Sequence, residues 1–280
     1  MSLAMQITRR ARLAGLMGEG VAVLPTSPEL ARNADTQFPY RFDSSFHYLS
    51  GFGEPEAVLV LFAGDLRRSL LFCRNKDVER EIWDGFRYGP DAAREQFGFD
   101  EAYPIDELDK MMPSLLENQP KLYATLGADP AWDSRLIGWL NEVRSRARTG
   151  VQAPKEILDL RSLVHEMRLF KDESELATMR RAGQISRDAH ARAMRFTRPG
   201  QFEYQVEAEL IHEFYRNGSR FPAYTSIVAG GANACVLHYV ENNAELRDGD
   251  LLLIDAGCEL HGYAADITRT FPVNGKFSAA

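Results

Sequence analysis

The chain has 280 residues, 45% of them hydrophobic and 26% charged, with a formal net charge of −7. That length allows one large domain or two ordinary ones with real cores, and a negative balance without a long basic stretch excludes a nucleic-acid surface as the main function. No apolar run approaches a membrane span, no signal-peptide core opens the chain, and Cys73, Cys235 and Cys258 form neither a disulfide framework nor a zinc spacing, so a cytoplasmic protein without membrane contact is expected.

Met1-Ser2-Leu3-Ala4 ahead of Met5 reads as a cloning remnant, which puts the expected natural start at Met5. Ile7 to Met17 has the spacing of a basic amphipathic helix, and Val21 to Leu24 before Pro25 that of a strand. A polar loop is expected over 31–41. Short apolar runs at Phe46 to Leu49, Ala57 to Phe62 and Ser69 to Cys73, separated by Gly, Pro and charge, predict a meander of strands. Helical patterns follow at Val78 to Trp83, Asp91 to Phe97 and Asp106 to Leu116, then a strand at Lys121 to Leu126. A long helix over Pro130 to Arg148 carries Trp132, Leu136, Trp139, Leu140 and Val143 as its apolar stripe. These elements make an α/β domain with a mixed sheet and flanking helices, assigned to 1–158.

Thr149 to Pro154 breaks the pattern, and Leu163 to Leu169 reads as a connecting helix. The second domain, 159–280, has an α+β pattern. Asp172 and Glu175 form a capping box for a helix reaching Phe196, with Leu176, Met179, Ala182, Ala189 and Ala193 facing inward. Pro199-Gly200 ends it, and Phe202, Val206, Leu210 and Phe214 mark another helix. Strands are expected at Ser226 to Ala229, Cys235 to Val240, Leu251 to Asp255 and Tyr263 to Phe271, with Gly230-Gly231 as a turn.

The last two of these strands read as a hairpin. With Asp255 and Asp266 opposed, the turn falls at Glu259 to Gly262 and places glycine at its fourth position. Opposed side chains lie roughly 5 Å apart. Two carboxylates that close repel unless a cation sits between them, and oxygen ligands suit Mn, Mg, Co or Zn.

The wording Asp255-Ala256-Gly257, its spacing to Asp266, and Asp266-Ile267-Thr268-Arg269-Thr270-Phe271 resemble the metal hairpin of the creatinase/methionine aminopeptidase superfamily, whose fold is the pita-bread. Val164-His165-Glu166-Met167-Arg168-Leu169-Phe170-Lys171, Leu237-His238-Tyr239 with Glu241-Asn242, and Arg247-Asp248-Gly249-Asp250 narrow the resemblance to the aminopeptidase P (Xaa-Pro aminopeptidase) family. Tyr40-Arg41, Phe52 and Glu54 to Leu61 are similar to that family's N-terminal domain.

The resemblance implies a peptidase that removes the residue before a proline, using two divalent ions, with Mn first and Co, Zn or Mg as alternatives, and a shared water that attacks the peptide carbonyl. It implies Asp255 and Asp266 as metal ligands, His238 as a substrate-side catalytic residue, and Tyr224 as a residue near the metals. Trp83 matches a tryptophan that reaches a neighbouring subunit's site, or is an ordinary surface anchor. Thr268 is either a donor to the carboxylates or water, or a plain β-branched strand residue. Further ligands, a histidine and two glutamates, are implied from a later part of the fold, yet 267–280 contains no His, Asp or Glu. The chain is therefore expected to hold only the first half of the pita-bread domain, to bind metal weakly or not at all, to be inactive alone, and to associate with itself through the open half-domain. A prolidase-type dipeptidase and a non-catalytic pita-bread binding module are the alternatives.

Overall fold

In the computed structural model, residues 3–279 are described; residues 1 and 2 of the expected remnant lie outside them. The chain divides into two compact units, one running to Phe170 and one beginning at Lys171. The first comprises α1 (Leu3–Met17), β1 (Gly20–Pro25), β2 (Ala31–Asn33), β3 (Thr36–Gln37), α2 (Ser44–Ser50), β4 (Val58–Ala63), β5 (Arg68–Cys73), α3 (Val78–Asp84), α4 (Gly89–Phe97), β6 (Glu101–Pro104), α5 (Leu108–Leu116), β7 (Lys121–Ala124), α6 (Pro130–Ser145), β8 (Glu156–Asp159) and α7 (Leu160–Leu169).

Six strands form one mixed sheet in the order β6-β5-β4-β1-β7-β8. Strand β4 runs antiparallel to β1 and β5, whereas the β1–β7, β7–β8 and β5–β6 pairs are parallel. Both faces are covered, which is why Val58–Ala63 is apolar at every position and buried at every position. Leu13, Phe46, Leu49, Phe52 and Leu71 pack on one side; Leu108, Met112, Leu136 and Trp139 pack on the other.

Two of the three arginines of α1, Arg9 and Arg10, are buried, while Arg12 is exposed. Arg9 donates to Tyr48 O at 3.2 Å, and Arg10 donates to Leu49 O and Phe97 O at 3.0 Å each and to Gly98 O. These carbonyls belong to the ends of α2 and α4, where helices leave oxygens unpaired and favour cations.

The structure corrects several expectations. Phe46 to Leu49 lies in a helix: Asp43 accepts from Ser45 N and Phe46 N at 2.9 and 2.7 Å, and Gly51 ends the helix at φ 69°. A short apolar run cannot by itself separate helix from strand. The expected loop at 31–41 contains the small β2–β3 hairpin. The boundary at 158 falls too early by contact: Leu160, Val164 and Met167 of the connecting helix are buried in the first core, so that unit extends to Phe170.

The second unit comprises α8 (Glu173–Phe196), α9 (Glu203–Arg216), β9 (Phe221–Pro222), β10 (Ile227–Gly230), β11 (Leu251–Asp255), β12 (Cys258–Leu260), β13 (Tyr263–Ala264) and β14 (Thr268–Pro272). The capping box is present, with Asp172 accepting from Ser174 N and Glu175 N and Glu175 accepting from Asp172 N. The inward stripe of α8 includes Ala182, Ile185, Ala189 and Ala193, while Leu176 and Met179 are only half-buried because the stripe starts a turn later. Strands β10-β11-β14 form one sheet and β13-β12-β9 another. Val228, Leu252, Ile254 and Val273 pack on the helices together with Val206, Leu210 and Phe214.

Cys235 to Val240 is not a strand. Gly231–Cys235 forms a 3₁₀ turn and the rest is irregular, with Leu237 88% exposed and Tyr239 the buried residue of the segment's second half. Side chains pin this segment in place of a ladder, as described below. Tyr263 to Phe271 is interrupted between β13 and β14. Among the described residues, no helix is long and apolar enough to cross a membrane.

Candidate metal centre

The hairpin turns one residue later than its glycine suggested. Leu260 pairs with Tyr263, leaving His261 and Gly262 as the two central residues, at φ 50° and 82°. A two-residue turn with positive φ at both centres matches the twist of paired strands, which a turn ending on glycine does not. The same register continues through β11 and β14, so Asp255 faces Thr268 rather than Asp266. Asp266 lies one diagonal step away, opposite Gly257.

Gly257 explains why the two strands can come so close there. A Cβ at this position would sit 1.8 Å from Ala265 O, so no other residue fits. Across the gap, Ala256 N donates to Ile267 O at 3.1 Å and Ala265 N donates to Cys258 O at 2.9 Å.

Alternation puts Leu252 and Ile254 against the helices and Asp255 on the opposite face. Thr268 and Ile227, its cross-strand neighbours, share that face. Asp255 is half-buried, while Asp266 and Thr268 are exposed. Both carboxylates converge on one phenol: Tyr224 Oη is 2.5 Å from Asp255 Oδ1 and 3.0 Å from Asp266 Oδ1. Burial first, and then the two carboxylates, push the Tyr224 hydroxyl well above its ordinary range, so it remains a neutral donor.

A phenol has one proton and donates to one carboxylate at a time. Three oxygens therefore converge with a single hydrogen among them, and two like charges remain close. An oxygen-seeking divalent ion fits this donor set. Among the described residues, no group of three or more His, Cys, Asp or Glu is arranged to hold a metal, so the two carboxylates stand as a partial site.

His238 is exposed on the irregular segment and is not drawn into the Asp255–Asp266–Tyr224 cluster by any hydrogen bond. Its position follows from its neighbour. Tyr239 packs with Ile227, Ala229 and Leu253 on the face that Asp255 also presents, and its hydroxyl donates to Glu203 Oε2 at 2.7 Å. Glu203, fully buried in the first turn of α9, also accepts from Ala244 N, Gly230 N and Asn233 Nδ2 at 2.9, 2.8 and 3.1 Å. Asn242, 1% exposed, donates to Ser226 O at 2.9 Å and accepts from Val228 N at 3.0 Å. Two side-chain anchors thus hold the His238 segment where no strand forms.

Trp83 belongs to the first unit, on α3, where it is 84% exposed beside Ile82 at 78%. Glu203 and Gly257 were missed in the sequence. A carboxylate in the first turn of a helix reads as dipole complement, and a glycine after Asp-Ala reads as a turn; neither pattern signals that it supports a site.

Comparison with known proteins places these elements. Residues 7–123 match the aminopeptidase P N-terminal domain, and residues 177–280 match metallopeptidase family M24. The chain is 48% identical to the Xaa-Pro aminopeptidase of Escherichia coli (strain K12) over 277 residues, 98% of this chain and 63% of that protein. It is similar in structure to the Pseudomonas aeruginosa aminopeptidase PepP, with a TM-score of 0.97 and 50% identity, covering 100% of this chain and 64% of that one. A zinc-substituted E. coli aminopeptidase P in complex with product gives a TM-score of 0.97 at 48% identity, with the same coverage of 100% and 64%. The chain thus spans a little under two thirds of the length of these relatives.

Proposed function

Because the chain belongs to metallopeptidase family M24, with the aminopeptidase P N-terminal domain ahead of a pita-bread catalytic domain, we propose that it is part of a metalloaminopeptidase that removes the residue preceding proline. The observation that carries this reading is the convergence of Asp255 and Asp266 on one hydroxyl, at a close strand approach that Gly257 permits. Both carboxylates hold divalent ions, manganese first among the candidates. When bound, such ions polarise a carbonyl and bring the acidity of water near neutrality.

Around them, Tyr224 orients the carboxylates through its hydroxyl, and Thr268, opposite Asp255, presents a hydroxyl on the same face. His238 binds the substrate peptide. Proline after the cleaved bond has no N–H and a fixed φ, so the substrate is selected by a pocket rather than by strand pairing. The exposed Trp83 and the open sheet face fit a homo-oligomer, in which Trp83 serves a neighbouring subunit. Three free cysteines suit a cytoplasmic setting.

As a 280-residue polypeptide, the chain holds ions weakly and does not cleave peptides, since its described residues supply only a partial ligand set. Manganese added to the labelled chain is expected to broaden the amide signals around Asp255, Asp266 and Tyr224, and Asp266→Asn to abolish that broadening. Broadening centred elsewhere sinks the metal assignment. Cleavage of an Xaa-Pro tripeptide that disappears in Asp266→Ala refutes the inactivity, and a preference for dipeptides points to the prolidase-type reading. A complete protein that binds neither metal nor peptide points to the non-catalytic one.

A further inference from the structure

Two polar side chains interrupt the apolar stripe by which α8 packs under the hairpin. Ser186 and His190, one helical turn apart among Ala182, Ile185, Ala189 and Ala193, are 0% and 3% exposed. Burying a hydroxyl and an imidazole costs free energy unless each makes a hydrogen bond that matters to the fold. Both bonds go to a single stretch of backbone. Ser186 Oγ accepts from Cys258 N at 3.0 Å, and His190 Nε2 lies 3.1 Å from Ala256 O. A carbonyl only accepts, so the proton sits on Nε2; Nδ1 is buried with no partner among the described residues. Cys258 Sγ adds a weaker contact to Ala182 O at 3.4 Å.

This stretch is where the strand ladder is weakest. The β11–β14 pairing stops at Asp255 and the β12–β13 pairing begins at Glu259, with close-packed Gly257 between them. Asp255 immediately precedes Ala256, and Asp266 lies opposite Gly257. The backbone that carries one carboxylate and faces the other is therefore held from below by α8.

We propose that Ser186 and His190 form a brace beneath the acidic hairpin that fixes the spacing of Asp255 and Asp266, making them positioning residues for the metal pair. This rests on the metal reading given above. Partners that orient metal ligands typically change affinity roughly 10- to 100-fold when lost.

The test is a manganese titration of the 280-residue chain, read by NMR broadening at Asp255 and Asp266, together with amide hydrogen exchange over 255–258 and 266–268. His190→Leu is expected to weaken manganese binding about tenfold or more, and His190→Gln, which keeps a donor near Nε2, to restore it to within roughly threefold. Ser186→Ala is the second variant, with a smaller loss in the same direction, and it decides the matter should His190→Leu fail to fold. Unchanged manganese affinity in a folded His190→Leu or Ser186→Ala chain overturns the brace. If the unaltered chain shows no broadening at the hairpin, the metal reading fails instead. The brace is then judged by exchange alone: faster exchange by about tenfold in His190→Leu, rescued in His190→Gln, supports it, and equal rates overturn it.

Discussion

Strands β4 and β11 look alike as text, Val-Leu-Val-Leu-Phe-Ala against Leu-Leu-Leu-Ile-Asp, yet the fold uses them differently. All six residues of β4 are buried, because the first unit covers both faces of its sheet. In β11 only Leu252 and Ile254 are buried; Leu251 is 45% exposed, and Leu253 and Asp255 share the half-open face. An apolar run therefore reports that a strand exists but not how many faces it buries. In the second unit the face left open by the helices is the one that presents the acidic pair.

The sharpest way to break this comparison is at the hairpin crossing. Gly257→Ala would force a Cβ into Ala265 O, and steric conflict with backbone has no cheap relaxation. A loss of about 4 kcal/mol or more is expected in the second unit. Residue-resolved hydrogen exchange should then show β11 to β14 unprotected while β1, β4 and β5 keep their protection. Wild-type protection throughout would mean that the strands do not approach as described.

A pair of core truncations sharpens the contrast between covered and half-open faces. Phe72, fully buried and stacked on Tyr103 with ring centroids 5.6 Å apart, should cost about 3–5 kcal/mol as Phe72→Ala. Leu253→Ala, on the half-open face, should cost roughly 1 kcal/mol, since much less area leaves water. Urea denaturation of each variant measures both, and equal losses would show that the second face of β11 is covered after all.

Much of this was legible in the sequence. The capping box at Asp172, the stripe of α6, the four-residue spacing of α9 and the strand position of Asp255 depend on local pattern, and local pattern survives in the fold, whereas Asp266 falls in the gap between β13 and β14. What failed depended on side-chain contacts that an apolar run does not report. Phe46 to Leu49 became a helix through the Asp43 cap, and Cys235 to Val240 stayed irregular because Glu203 and Asn242 tie it down instead of a ladder. The register error had a different origin. Glycine was read as the closing residue of a turn, whereas His261 accepted positive φ beside it, and one residue of shift moved Thr268 opposite Asp255.

The smallest expected effect separates the units by acid rather than by mutation. His190 is 3% exposed, and burial pushes its pKa below the ordinary 6.5; Arg269 pushes the same way, while the Ala256 and Ile267 carbonyls and Asp255 partly oppose it. Well above pH 6.5 the imidazole is neutral in both folded and unfolded chains and contributes no pH dependence. As the pH falls below that value, the unfolded chain takes up a proton that the folded one refuses, so stability falls until the lowered folded pKa is reached. Neither histidine of the first unit is buried, as His165 is exposed and His47 is half-buried against Phe42. Urea midpoints read separately from methyl signals of each unit, at pH about 7 and about 5, should therefore show an acid-sensitive component in the second unit that His190→Gln removes. If His190→Gln leaves the acid response of the second unit as steep as before, the buried imidazole is not its source, and the carboxylates on the open face become the groups to titrate.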